Sequence, residues 1–182
     1  MVNAGTVEKE SGGLNMQIEK KDILFDVDRL LDIYHICDQS KKQVSFASRN
    51  NITDMQDGVG SIFNYHPATE WDWDHINPLF KNSYLEEVYD ILAKDYKLGR
   101  ARFMKMDSSN RALSYHYDEG IRLHIPIITN PQAWFILADQ TIYSMSELGR
   151  LYVLDANDYH SALNLSRQNL PRVHIVISAS VL

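Results

Sequence analysis

A chain of 182 residues and 21.0 kDa, 45% hydrophobic and 10% aromatic, is long enough to bury one domain's core. Its formal charge of -6 and pI near 5.6 exclude a nucleic-acid backbone or an anionic membrane as the main partner, since both demand concentrated Lys and Arg. The single cysteine, Cys37, excludes an internal disulfide and a thiolate zinc site; with no apolar run of membrane-spanning length and no signal-peptide core, the expected setting is cytoplasmic.

Met1 to Asn15 is small, polar and glycine-bearing, and reads as a mobile lead-in to a single domain over 16–182. Asp22 to Cys37 places Val27, Leu30, Leu31 and Tyr34 at helical spacing, with Asp26 or Asp28 as cap, and predicts an amphipathic helix. Gln43 to Ala47 predicts a short strand, and the turn-rich Asn50 to Gly60 a surface loop. The loop continues through alternating aromatic and acidic residues. Trp71 and Trp73 are expected to anchor it or to close over a substrate, and Asp57, Asp72 and Asp74 would favour a cationic one. His66 and His75 there have no ligand-like spacing. Ser83 to Glu86 has the form of a capping box, and Leu85, Val88, Tyr89 and Leu92 predict a second helix ending near Gly99. From Arg100 onward, short Val, Ile, Phe and Tyr runs separated by turns predict an all-β half, as in a sandwich or jelly roll.

Tyr115 to Thr129, YHYDEGIRLHIPIIT, is where chemistry concentrates. In extended backbone His116 and Asp118 point to one side, as do Arg122 and His124, while Ile121, Leu123, Ile125 and Ile127 take the opposite face. The run from Leu151 to Ile177 supplies His160 in a polar turn and Arg172 and His174 two apart. IRLHIPI and PRVHIVI thus share a pattern that suits two strands lining one cavity. A His-x-Asp pair followed some tens of residues later by a histidine suits octahedral Fe(II), with one face held by the protein and the other open. Arg172, on the following run, suits a bidentate grip on a carboxylate.

These residues resemble a known family, the Fe(II)/2-oxoglutarate-dependent oxygenases, in particular the aspartyl/asparaginyl β-hydroxylases and the bacterial proline hydroxylases. The resemblance lies in H-x-D followed by RLHIP (His116 to Pro126), in G-x-L-x-x-LDA-x-x-x-HSA-x-N-x-S (Gly149 to Ser166) and in R-x-H-I-V (Arg172 to Val176). It implies a mainly β fold with flanking helices, a double-stranded β-helix of jelly-roll, cupin-like form. It further implies that His116, Asp118 and His160 are iron ligands and that Arg172 grips the distal carboxylate of 2-oxoglutarate. His124 would lie beside that co-substrate, with Arg122 and His174 nearby; O2 is the second co-substrate. The aspartate at 118 matches the proline hydroxylases, whereas mammalian aspartyl/asparaginyl enzymes have glycine there. The expected activity is hydroxylation of an amino-acid side chain, free or within a peptide or protein. The alternative is a non-catalytic cupin-like binding or iron/2-oxoglutarate sensing protein.

Overall fold

The computed structural model describes residues 17–61 and 68–182. The expected lead-in 1–15 and His66 lie outside them. The strands are β1 (Ile18–Leu24), β2 (Gln43–Ser45), β3 (Ala47–Ser48), β4 (His75–Ile76), β5 (Tyr96–Met106), β6 (Ile121–Ile128), β7 (Ala133–Ile136), β8 (Ile142–Tyr143), β9 (Arg150–Asp155), β10 (Ser161–Asn164) and β11 (Arg172–Val181). Two helices, α1 (Val27–Ile36) and α2 (Tyr84–Leu92), precede most of them. The strands form a six-stranded sheet in the order β1-β9-β6-β11-β5-β2, a three-stranded sheet β10-β7-β8 and the pair β3-β4. Every pairing is antiparallel. The expectation of a mainly β protein with flanking helices therefore holds. Among the described residues, no helix is long and apolar enough to cross a membrane.

Alternation along three central strands gives the large sheet two chemically opposite faces. Ala101 and Phe103 of β5, Leu123, Ile125 and Ile127 of β6, and Val173, Ile175 and Ile177 of β11 are buried together with Leu30 and Tyr34 of α1 and Leu85, Val88 and Leu92 of α2. Each such Leu, Ile or Phe contributes about 1.5–3 kcal/mol of burial, so this face holds the helices to the sheet. The other face carries Arg100, Arg102, Arg122, His124, Arg172 and His174, all buried. Phe135 of the small sheet lies against it, with ring centroids 5.3 Å from His124 and 6.3 Å from His174. A second apolar cluster, including Ile18, Phe135, Leu137, Tyr152, Leu154 and Ala162, closes the two sheets at one side.

Several local expectations need correction. Asp26 does cap α1, its carboxylate accepting from the Arg29 amide at 3.2 Å. Residues 18–24, however, form an edge strand paired with β9, where the helix was expected to begin at Asp22. Ser83 is the cap residue of α2 but makes no side-chain cap bond. Its hydroxyl donates instead to the Phe80 carbonyl at 2.6 Å, because the one-turn helix Pro78–Phe80 ends beside it, and Glu86 accepts from the Asn82 amide. The helix stops at Leu92, well short of Gly99, which lies inside β5. Gly149, in the expected turn region, is obligatory: its φ is +75°, and a Cβ would lie 2.3 Å from the Phe25 carbonyl oxygen, whose residue it bonds to dock α1's entry.

Candidate metal centre

His116 and Asp118 sit just before β6 and outside any named strand, and His160 sits just before β10. Backbone bonds join the two segments: His116 and His160 exchange amide-to-carbonyl hydrogen bonds of 3.0 and 2.8 Å, and the Asp118 amide donates to the Ala156 carbonyl at 2.7 Å. One ligating atom from each of His116, Asp118 and His160 lies within 4.8 Å of the others. The cluster could hold a metal ion.

Outer hydrogen bonds orient both rings toward that use. His116 Nδ1 lies 2.6 Å from the Ser114 carbonyl oxygen and His160 Nδ1 lies 3.0 Å from that of Asp158. Each Nδ1 donates its proton there, which fixes the neutral tautomer with the Nε2 lone pair free, the arrangement metal-ligating histidines use. His116 Nε2 stands 3.7 Å from Asp118 Oδ2, and Arg122 Nη2 stands 3.3 Å from the same oxygen. Burial pushes the Asp118 carboxyl up, but His116, Arg122 and His160 outweigh it and hold it well below the usual range, so it is ionised. Asp118 raises the affinity of His116 for a proton, while burial lowers that of His160.

A pH dependence of metal binding follows. The His116 proton must leave before a metal binds, so affinity for Co(II) should be level above the raised pKa and fall on acidification through it. The slope approaches tenfold per pH unit for one displaced proton and steepens once His160 also protonates. A Co(II) dissociation constant that did not change between about pH 5.5 and 8 would dismiss imidazole ligation.

The three groups open onto a cavity of about 400 Å³, also lined by Gln43, Glu70, Arg100, Arg102, Arg122, His124, Phe135 and Arg172. Four guanidiniums meet only two carboxylates, Glu70 and Asp118, among these described lining residues. Arg100 is paired with Glu70 at 2.5 and 2.7 Å. Arg122 is engaged by Asp118, more distantly by Glu70 at 3.9 Å, and by the Glu119 and Ile121 carbonyls. The other two have no carboxylate partner among the described residues. Arg172 donates to Met106 Sδ and to His174 Nδ1 at 3.2 and 3.1 Å and lies over the Phe135 ring. Arg102 donates to Gln43 Oε1 and the Gly60 carbonyl, both at 3.2 Å, and its Nε–H is buried without a partner. Burial lowers both guanidinium pKa values to about 9, so both remain cationic at neutral pH. His124 is buried with both ring nitrogens unpartnered among the described residues, and burial holds it neutral. His174, also neutral, accepts from Arg172 at Nδ1, so its Nε2 carries the proton and is unpartnered. A buried, uncompensated cation costs several kcal/mol, and orphaned donors add to that. This end of the cavity is built for an anion.

No family model matches the chain, and no curated protein matches it. Among solved structures, the chain is similar to the crystal structure of IDO from Bacillus thuringiensis at 12% identity, covering 85% of this chain and 81% of that one, with a TM-score of 0.48.

The fold brings His116, Asp118, His160, Arg122, His124 and Arg172 into one cavity wall, with His174 behind Arg172. The loop expectations fare differently. Neither Trp71 nor Trp73 lines the cavity. Trp73 is an anchor, fully buried, its indole N–H donating to Asp57 Oδ2 at 2.8 Å; Trp71 lies beneath Lys97. Asp57 also pairs with Arg49, Asp72 caps its own turn through the Thr69 amide, and Asp74 pairs with His75. Asp57 and Asp72 are engaged within the loop, Asp74 is half exposed, and none of the three lines the cavity, whose wall carries four arginines, so they give no basis for a cationic substrate there. Sequence reasoning passed over Glu70 and Arg102. GRARFMKM does hold a signal for Arg102, since it repeats the alternate-residue cation pattern of RLH and RVH.

Proposed function

We propose that this chain is an Fe(II)- and 2-oxoglutarate-dependent oxygenase that hydroxylates an amino-acid side chain. The two facing antiparallel sheets are read as a double-stranded β-helix. The observation that carries the proposal is the pairing, in one small cavity, of a preoriented His-Asp-His cluster with a buried, carboxylate-free Arg172 beside an unpartnered His124. A metal-binding cluster alone would suit many roles. The anion pocket beside it is what selects a keto-acid co-substrate.

His116 and His160 present Nε2 lone pairs and Asp118 a carboxylate oxygen, the donor set for Fe(II) with positions left open. Fe(II) held there would supply oxygen activation, with 2-oxoglutarate oxidised and decarboxylated to succinate and carbon dioxide and one oxygen atom entering the substrate. Arg172 grips the distal carboxylate of 2-oxoglutarate through its free donors, and neutral His124 donates to the same ligand. Phe135, Leu113, Ala162 and Val176 provide apolar wall that limits water. Arg102, across β11 from His124 and level with it at Val176, meets the second anion: a carboxylate of the substrate. At about 400 Å³ the cavity is at the small end of ligand sites, which run from about 300 to 1,000 Å³, and it suits a free amino acid or a chain end.

Succinate formation from 2-oxoglutarate under air with Fe(II), screened across free amino acids and short peptides with and without a free carboxylate, tests the reading. The expected result is succinate release accelerated by a carboxylate-bearing amino acid, with a product heavier by one oxygen atom. Iron-loaded protein that binds 2-oxoglutarate yet gives neither turnover nor product across that panel would make it a binding or sensing protein.

A further inference from the structure

Glu70 is the only lining carboxylate besides Asp118 among the described residues, and the loop carries it into the cavity from outside the sheet. It opens the single turn Glu70–Asp72, capped by Thr69. That turn is pressed onto β5 so closely that a Cβ at Gly99 would lie 2.5 Å from the Glu70 carbonyl oxygen. The carboxylate accepts from Arg100 and, at 2.6 Å, from the Ser178 hydroxyl, and its Oε1 stands 3.9 Å from Arg122 Nη2. That same nitrogen is 3.3 Å from Asp118 Oδ2, while Arg122 Nη1 is pinned by the Glu119 and Ile121 carbonyls. One guanidinium edge is therefore shared between two partly buried carboxylates, one of them in the metal cluster.

We infer that Glu70 is a positioning residue for the metal centre: it draws the Arg122 guanidinium partly off Asp118 and leaves that carboxylate free to bind the metal. The inference rests on the metal-site reading above. A guanidinium and a metal cation compete for the same carboxylate electrons, and at partly buried positions water screens that competition only in part. With the Glu70 charge gone, Asp118 is the only carboxylate among the described residues left within reach of Arg122, and the Arg122–Asp118 pair closes at the expense of the metal. The loop's docking and the cluster's affinity are thus set by one side chain.

Glu70→Gln keeps the shape and removes the charge. Titration of the purified protein with Co(II) alone, followed by visible absorbance, should give about ten- to hundredfold weaker binding than the parent, the usual size of an outer-partner effect. Arg122→Met should bind Co(II) at least as tightly as the parent, and adding Glu70→Gln to it should change nothing further, because the competitor is absent. A folded Glu70→Gln protein with lowered thermal stability and unchanged Co(II) affinity would reduce Glu70 to a structural clamp and overturn the inference. So would an undiminished Glu70→Gln effect in the Arg122→Met background. If Glu70→Gln fails to fold, Arg122→Met alone decides, and weaker binding there overturns it. A parent protein that binds no Co(II) would instead defeat the metal-site reading, and this inference with it.

Discussion

Replacing Asp118 or His160 with alanine should abolish metal binding, the larger of the two strongest effects expected. Each residue supplies one of three donors held within 4.8 Å, and no other His, Cys, Asp or Glu among the described residues joins that cluster. Changes to mere outer partners of metal ligands cost about 10–100-fold in affinity, so loss of a donor should exceed a hundredfold. The fold should survive both changes. The bridge between the two segments is made by backbone amides and carbonyls, and Arg122 keeps Glu70 and two carbonyls when Asp118 is removed. Calorimetric or absorbance titration with Co(II), with a thermal melt of each variant alongside, separates loss of metal from loss of structure. Either variant binding as tightly as the parent would remove that residue from the ligand set.

Arg172→Ala should cost 2-oxoglutarate binding about 2–5 kcal/mol, the usual loss when one partner of a buried charge pair is truncated. At 1.4 kcal/mol per tenfold, that is roughly thirtyfold to several thousandfold in dissociation constant. His124→Ala should weaken binding less, since it removes a neutral donor. A second consequence runs in the opposite direction. Because Arg172 is buried without a carboxylate among the described residues, the protein without ligand carries its desolvation cost uncompensated, and Arg172→Met should melt at the same temperature as the parent or higher. An ion pair kept for stability would give the opposite sign. Titration of Mn(II)-loaded protein with 2-oxoglutarate, paired with melting curves of the ligand-free variants, reads both. An unchanged 2-oxoglutarate affinity would exclude Arg172 from the site.

How much of this was legible beforehand depended on range along the chain. Asp26 and the stripe of α1 are local signals, and the helix formed where they put it, apart from its first turn. The alternation in IRLHIPI and PRVHIVI is also local, and it correctly divided β6 and β11 into a helix-facing side and a cavity side. Residues 18–24, IEKKDIL, did not read as a strand because they lie at a sheet edge, where only Ile18 is buried and charged side chains face water. The supposed capping box at Ser83 failed because the neighbouring Pro78–Phe80 turn offers Ser83 a nearer carbonyl than its own helix offers amides. Glu70 was invisible for a different reason. Its partners Arg100 and Ser178 come from β5 and β11, so only the assembled sheet reveals that a loop acid belongs to the cavity.

The mutual backbone bridge between His116 and His160 bears on how such a chain could change over generations. The separation of the two imidazoles is fixed by a pair of amide-to-carbonyl bonds, and the chain between them is not what measures it. The β7–β8 hairpin, with its turn at 137–141, lies within that intervening span yet makes no part of the bridge. The tip is tied beside the cluster, its Leu137 carbonyl accepting from Tyr115 and its Ala138 amide donating to Gln17, which donates to the Asp158 and Tyr159 carbonyls, but a single-residue slip beside His116 or His160 is what would turn a ring away from the cavity. The registry of two residues, and not the length of chain between them, is therefore what an heir of this sequence must keep to retain the centre.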